Sequence, residues 1–221
     1  MSIKLLELVL INNNEGYFMS SNDSLIRHLI NSDALRSSNI IDAFDNTDRV
    51  NFVLDPTALD VYEDYPLPIG YGQTISQPTT VAMMMEMLEP CSGQKILDIG
   101  SGSGWTTALL GFIVGDDGSV TGLERIDNLV KFGSNNLQKY KFKNTEIIQA
   151  TNEFGIPNEK FDRILVSASA DEFPSELTTQ LRVGGKLVIP VRNSIYEITK
   201  KEDGELESIE HYGFRFVPLI K

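Results

Sequence analysis

Lys95-Ile96-Leu97-Asp98-Ile99-Gly100-Ser101-Gly102-Ser103-Gly104 is the stretch that decides the fold. A short apolar run ends in alternating glycines, and apolar positions then return at helical spacing in Ala108, Leu109, Phe112 and Ile113. That is the pattern of a buried strand, a tight turn without Cβ atoms, and a helix whose free N–H groups face the space above the turn. Such a turn lets a nucleotide-like ligand approach the backbone closely. The spacing is G-x-G-x-G, whereas a loop that grips a dinucleotide pyrophosphate reads G-x-G-x-x-G.

Working outward, strands and helices alternate from residue 95 onward. Strands are expected over residues 95–100, 119–124, 145–150, 162–168 and 185–191, with helices at about 103–113, 126–140 and 174–182, the last ended by Gly184-Gly185. This predicts a parallel sheet covered on both faces. The tail changes character. Tyr196 to Lys201, the turn Glu202-Asp203-Gly204-Glu205, and Phe214 to Ile220 read as antiparallel strands closing the sheet edge.

Upstream, residues 22–52 read as two helices. Asp23 or Ser24 can cap the first, with Leu25, Ile26, Leu29 and Ile30 on one face, and Ser37 or Ser38 can open the second, with Ile40, Ile41 and Phe44 inward. Residues 55–72, rich in Pro, Gly, Asp and Tyr, read as a long ordered loop. Gln73 to Pro78 then feeds a helix with Val81, Met84, Met85 and Leu88 on one stripe, where the methionines at 83–87 are core filler. Leu5 to Ile11 can form a strand, with a turn at Asn12 to Gly16. The organisation is one domain over residues 1–221: an N-terminal addition (1–20), a helical cap with a loop (21–78), and the alternating core (79–221).

Composition narrows the function. With 221 residues and a net charge of −12, the chain presents a repulsive field to nucleic acid and anionic lipid, and it has no basic cluster to overcome it. Cys91 is the one cysteine and His28 and His211 the two histidines, so neither a disulfide nor a zinc site is expected. The opening apolar run is interrupted by Glu7 and is too short to span a bilayer. These features describe a cytoplasmic protein, without nucleic-acid or membrane partners.

In a doubly wound sheet the ligand lies over the C-terminal strand ends, here Gly100–Gly104, Glu124, Ala150–Asn152 and Ser167–Asp171. Glu124, 26 residues after Asp98, ends the second core strand, where an acid can accept from both ribose hydroxyls of a nucleoside. The alternative is that it merely opens the next helix, where negative charge is favourable. The glycine loop carries no lysine or arginine, which excludes a P-loop and leaves nothing there to neutralise a polyphosphate. A phosphate-free nucleoside, S-adenosylmethionine, fits that loop.

Two stretches make a family resemblance specific: Tyr62-Glu63-Asp64-Tyr65-Pro66-Leu67-Pro68-Ile69-Gly70-Tyr71-Gly72-Gln73-Thr74-Ile75-Ser76-Gln77-Pro78, and Ile96 through Gly104. With Leu181 through Val191 and Phe216-Val217-Pro218-Leu219, the chain resembles the protein-L-isoaspartate O-methyltransferases from about Leu25 to Ile220. The resemblance implies a Rossmann-like, class I methyltransferase: an α/β fold with a mostly parallel, doubly wound seven-stranded sheet, a reordered C-terminal strand pair and an N-terminal helical cap. It implies methylation of the α-carboxylate of L-isoaspartyl (and D-aspartyl) residues in damaged proteins and peptides, leading to repair through a succinimide; the chain itself is expected to be a monomer.

Carried over by position, the resemblance implies that Ser76 is the active-site hydroxyl, supported by Thr74. It assigns Gln73, Thr74, Ile75, Ser76, Asp98, Gly100, Ser101, Gly102, Ser103, Glu124 and Arg125 to the cofactor, and Ile69, Ser76, Ser167, Ala168 and Val217 to the substrate. Where the family usually reads Gly-Asp-Gly, with its acid on the adenine amino group, this chain reads Ala150-Thr151-Asn152, so Thr151 and Asn152 take the acceptor's place. The loop after the fourth core strand, Ser167-Ala168-Ser169-Ala170, carries an extra hydroxyl, and Arg192-Asn193-Ser194 is shorter than the family's glycine-containing link.

The chemistry suits these residue types. A carboxylate with a pKa of about 4 is ionised at neutral pH and needs no general base, so catalysis is alignment plus donors that hold the carboxylate. Read locally, Ser76 is instead a helix cap before Pro78, and a strand-end Thr74 needs no function. Two other readings compete: a paralogue acting on aspartyl side chains of a dedicated peptide, whose relatives often carry a further C-terminal domain, and an inactive cofactor-binding interaction module, which the Thr151-Asn152 departure would suit.

Overall fold

The structure, a computed structural model, describes residues 19–220; the strand at 5–11 and the turn at 12–16 expected from sequence lie outside them. Two amphipathic helices come first. Helix α1 (Asn22–Asn31) starts slightly earlier than its acidic residue suggests. Ser21 is the N-cap, with its hydroxyl accepting from the Ser24 N–H at 3.2 Å while Ser24 Oγ accepts from the Ser21 N–H at 3.1 Å. Leu25, Ile26 and Leu29 are buried, but Ile30 is 42% exposed rather than part of the inner stripe. Helix α2 (Ser38–Asn46) follows N-cap Ser37 and buries Ile40, Ala43 and Phe44. The Ser37 hydroxyl leaves its own helix uncapped and donates to Glu86 at 2.7 Å, which docks the cap on the third helix.

After a 3-10 turn at Arg49–Phe52, the expected loop of 55–72 contains part of a hairpin: strand β1 (Leu67–Gly70) pairs antiparallel with β2 (Gln73–Ile75). Pro66, Pro68, Gly70 and Gly72 obscure its alternation in sequence, yet Leu67, Ile69 and Ile75 are buried on one side. A proline is tolerated in such a short strand because both strands are edges. Helix α3 (Pro78–Leu88) has Pro78 in its first turn and buries Val81, Met84, Met85 and Leu88, so its methionines do pack in the core.

The alternating half comes next: β3 (Lys95–Ile99), α4 (Trp105–Val114), β4 (Ser119–Glu124), α5 (Asp127–Leu137), β5 (Thr145–Gln149), β6 (Phe161–Val166), α6 (Glu176–Thr179), β7 (Leu181–Val191), β8 (Ser194–Lys200) and β9 (Leu206–Tyr212). The sheet order is β5-β4-β3-β6-β7-β8-β9. Its first five members are parallel, and β8 runs antiparallel to both neighbours. The fold is therefore the expected α/β architecture with a seven-stranded, mostly parallel sheet, its last strands forming a meander in chain order. The chain winds from β3 through β4 to β5, then crosses to β6 on the other side of β3. That switch opens a crevice at the C-terminal ends of β3, β4 and β6.

Alternation along β3 divides the core. Ile96 joins the cluster under α1 to α5, while Leu97 and Ile99 join the opposite cluster with Phe161, Ile164, Leu177 and Leu187. Helices crowd the first face; on the second the cover includes α6 and, from the connection after β5, Phe154 and Ile156.

Two expectations about the C-terminal half need correction. The helix expected over 174–182 is the single turn α6, and β7 begins already at Leu181. Gly184-Gly185 does not end a helix. The pair lies in a bulge, because Phe161 pairs with Leu181 but Arg163 pairs with Lys186. The strand that closes the sheet is β9, not 214–220. Leu206-Glu207-Ser208-Ile209-Glu210-His211-Tyr212 is almost wholly exposed and shows no buried alternation. Residues 214–220 instead run back over the strand ends, tied to Ser169 by bonds from the Ser169 N–H to Val217 O (2.8 Å) and from the Leu219 N–H to Ser169 O (2.7 Å).

Candidate active site

The glycine turn forms one wall of a cleft at the switch point. Gly102 and Gly104 have φ of +52° and +86°, in the left-handed region. A Cβ on Gly102 would meet Ile69 Cδ1 at 3.2 Å, and one on Gly104 would meet Gly133 O at 3.1 Å, so the turn threads between the β1–β2 hairpin and α5. Backbone bonds fasten it to β4: the N–H groups of Gly100 and Ser101 both donate to Leu123 O, at 2.8 and 3.0 Å. Glu124 completes the clamp. Its Oε2 accepts from the Gly102 N–H at 3.0 Å and its Oε1 from the Ile126 N–H at 2.8 Å.

The two readings of Glu124 thus meet in one residue, which secures both the glycine loop and the start of α5. Each carboxylate oxygen keeps a further lone pair. Ser101 and Ser103 are also buried in this wall; Ser101 Oγ has no partner among the described residues, and Ser103 O accepts from Asn136 Nδ2 at 2.9 Å.

Asp98 is not among the residues that line the cleft. It shares the Ile96 face of β3 and lies wholly buried beneath α4, accepting from the hydroxyls of Thr106 (2.7 Å) and Thr107 (2.6 Å), with Oδ1 unpartnered among the described residues. Burial pushes its pKa up to about 6, against the pull of the two threonine bonds and with a smaller push from Glu124. Asp98 therefore supports the loop from below. Thr151 and Asn152 also stand outside the lining. β5 ends at Gln149, Ala150 lines the cleft, and the chain then turns into solvent, where Thr151 Oγ1 accepts from the Glu153 N–H at 3.2 Å.

The opposite wall is the hairpin together with Ser76, the residue after it. Ile69, Gln73, Thr74, Ile75 and Ser76 all line the cleft. Ser76 is not a helix cap. Gln77 holds the N-cap position, and the first turn of α3 is satisfied from a distance by Asp64, which accepts from the Thr79 N–H (2.8 Å), the Thr79 hydroxyl (2.7 Å) and Gln77 Nε2 (3.2 Å). The Ser76 hydroxyl makes no hydrogen bond among the described residues. Ser167 and Ala168, after β6, close the floor, and Val217 with Pro218, Leu219 and Ile220 forms the third side. Arg125 stands exposed at the rim. The cleft holds about 870 Å³ of space open to solvent.

Sequence reading did not single out Trp105, which lines the cleft and donates from Nε1 to Thr47 O at 3.0 Å, or the fully buried Arg49 behind Ser76. A tryptophan just past a glycine turn looks like core, and the partners of Arg49 are carbonyls, which leave no trace in sequence. Among the described residues there is no group of three metal-ligating side chains and no helix long and apolar enough to cross a membrane.

The lining fits a nucleoside carrying a small charged tail. It offers a carboxylate with spare lone pairs, an unsatisfied buried hydroxyl and a glycine wall, while its one guanidinium stands at the exposed rim. Fold and cleft together define a Rossmann-like S-adenosylmethionine-dependent methyltransferase.

The family model described as Protein-L-isoaspartate(D-aspartate) O-methyltransferase (PCMT) matches residues 20–221. The chain is 39% identical over 209 residues to the protein-L-isoaspartate O-methyltransferase of Methanopyrus kandleri, covering 92% of each. It is 42% identical over 193 residues to that of Thermococcus onnurineus, covering 84% of this chain and 87% of the relative. The crystal structure of a putative protein-L-isoaspartate O-methyltransferase from Plasmodium falciparum in complex with S-adenosyl-L-homocysteine superposes with a TM-score of 0.80 at 28% identity, covering 91% of this chain and 99% of that one. The chain belongs to the protein-L-isoaspartate(D-aspartate) O-methyltransferase family, and S-adenosylmethionine is its methyl donor.

Proposed function

We infer that this protein methylates the α-carboxylate of L-isoaspartyl residues, and D-aspartyl residues where they occur, in damaged proteins and peptides, so that the ester can close to a succinimide. The observation that carries the reading is the cleft itself: Ser76 and the β1–β2 hairpin face the same space as the glycine turn and Glu124. When bound, S-adenosylmethionine supplies an electrophilic methyl on a sulfonium centre. An oxygen–carbon bond forms as the carbon–sulfur bond breaks; the carboxylate supplies the electron pair, and the products are an ester and a thioether. No proton moves, which matches a lining without histidine, lysine or cysteine.

In this reading Glu124 accepts from the ribose hydroxyls, and Ser101, Gly102 and Ser103 pack against the nucleoside. Ser76 donates to the substrate carboxylate, with Thr74, Gln73 and Ile75 shaping its approach. Ile69, Ser167, Ala168 and Val217 border the peptide, and Arg125 sits where it can reach the rim of the nucleoside. The exposed Thr151 and Asn152 would need to turn inward to meet the adenine. We read the enzyme as a cytoplasmic monomer; its single cysteine suits a reducing compartment.

The test is transfer of label from S-adenosylmethionine to matched peptides carrying isoaspartate, aspartate or asparagine. Label on the isoaspartyl peptide alone is expected. Label on the aspartyl peptide would assign the chain to a side-chain methyltransferase. No turnover together with no thermal shift by S-adenosylhomocysteine would make it an interaction module.

A further inference from the structure

Arg49 has the largest fully buried side chain among the described residues, yet the reaction as derived does not use it. All four of its hydrogen bonds go to main-chain carbonyls and none to a carboxylate. Nη1 donates to Val61 O (2.7 Å) and Glu63 O (3.0 Å), and Nη2 to Tyr65 O (2.9 Å) and Ser76 O (3.3 Å). Nε remains buried without a partner among the described residues, and burial holds the pKa down at about 10 despite the opposing charges of Asp64 and Asp60. Retaining a guanidinium here is unfavourable for stability compared with a well-packed apolar side chain. What it supplies is geometry. Its planar fork gathers the carbonyls of alternate residues 61, 63 and 65, so that this loop curls around it, and then takes the carbonyl of Ser76 as the fourth.

The same loop carries Asp64, which holds Gln77 and Thr79. Arg49 therefore grips Ser76 directly and, through Asp64, the residues just after it. On its other side the guanidinium lies 5.6 Å from the centroid of Trp105, the first residue of α4 and part of the cleft lining. One buried cation links the acceptor wall to the helix that leaves the donor loop.

We propose that Arg49 is a positioning residue for methyl transfer, holding Ser76 and the acceptor wall in register with the glycine turn. The role rests on the isoaspartyl reading above. In-line transfer is sensitive to placement, and an error of about 1 Å can cost about 100-fold in rate. The Arg49→Lys ammonium keeps the charge but cannot span four carbonyls in a fork.

The test measures kcat and KM for an isoaspartyl peptide alongside S-adenosylhomocysteine affinity. Arg49→Lys is expected to lower kcat about 10- to 100-fold, with KM and the S-adenosylhomocysteine Kd within about threefold of wild type. Asp64→Asn, which loosens the same loop without emptying the buried site, should show the same split at smaller size. Leu29→Ala, a cavity in the cap at a residue outside the cleft lining, should lower the melting temperature yet keep kcat when assayed below it. The role is overturned if Arg49→Lys keeps wild-type kcat, or if kcat and S-adenosylhomocysteine affinity fall in equal proportion. If Arg49→Lys does not fold, a wild-type kcat in Asp64→Asn overturns it. A wild-type protein inactive on the isoaspartyl peptide would overturn the function, and this role with it.

Discussion

Replacing Ser76 with alanine separates a local structural role from a catalytic one, because the structure assigns very different sizes to the two. The hydroxyl makes no hydrogen bond among the described residues, and in the first turn of α3 the Thr79 N–H is already satisfied by Asp64. Folding stability should therefore change by no more than about 0.5 kcal/mol, the range of an uninvolved substitution. Had Ser76 been the cap, the loss would be about 1 kcal/mol. In the reaction the same hydroxyl would donate to an ionised carboxylate, an interaction worth about 1.5–3 kcal/mol. At about 1.36 kcal/mol per decade, kcat/KM for an isoaspartyl peptide should fall about 10- to 150-fold. S-adenosylhomocysteine affinity, read by calorimetry, should stay within about twofold, and Ser76→Thr should recover most of the activity. A variant whose kcat/KM stays within about twofold of wild type, or whose main defect is a lowered melting temperature, would refute the assignment.

The geometry sets three further outcomes. Glu124→Gln can keep only one of its two backbone acceptor bonds and loses the charge on that one, so S-adenosylhomocysteine affinity measured by calorimetry should drop at least about 10-fold. Gly104→Ala forces a Cβ into a left-handed residue and to 3.1 Å from Gly133 O, so denaturant unfolding should show a loss of about 2 kcal/mol. The third concerns Asp98, whose pKa rises from 3.8 unfolded to about 6 folded, so between those values the native state binds more protons than the unfolded one and stability falls as pH rises through the window. The difference amounts to about 3 kcal/mol, and Asp98→Asn should flatten the slope of unfolding free energy between about pH 4 and 6 relative to wild type.

What could be read from sequence depended on whether a residue's role is carried by its side-chain type. The glycine turn was legible because only glycine suits Gly102 and Gly104, and β3, β4, β5 and β6 were legible as apolar or alternating runs between turns. The β1–β2 hairpin was not, because two prolines and two glycines mask a strand only three or four residues long. β9 was not, because an exposed edge strand has no buried face to pattern. In the site, Glu124 could be singled out from its place at a strand end, whereas Ser76 reads locally as a helix cap and was singled out only by the family resemblance. Asp98 shares the face of Ile96 on β3 and lies buried under α4, where sequence gives its strand but not its threonine partners. Arg49 left no signal at all, since carbonyl partners are common to every residue.

The two walls of the cleft are held by different physics, and this explains why the site looks chemically sparse. The donor wall is fixed by backbone conformation: left-handed glycines, two N–H bonds to Leu123 O, and a carboxylate that bridges the turn to α5. The acceptor wall is a hairpin and loop too short to hold themselves, and they are drawn around a buried guanidinium and an aspartate that caps α3. Apart from Glu124 and the rim Arg125, the ionisable groups near the cleft, Arg49, Asp64 and Asp98, lie outside its lining and serve its shape. A transfer between an anionic oxygen and a sulfonium carbon requires no proton to be moved. The side chains that would ordinarily serve as acid and base are therefore free to act as the fasteners that bring the two walls into line.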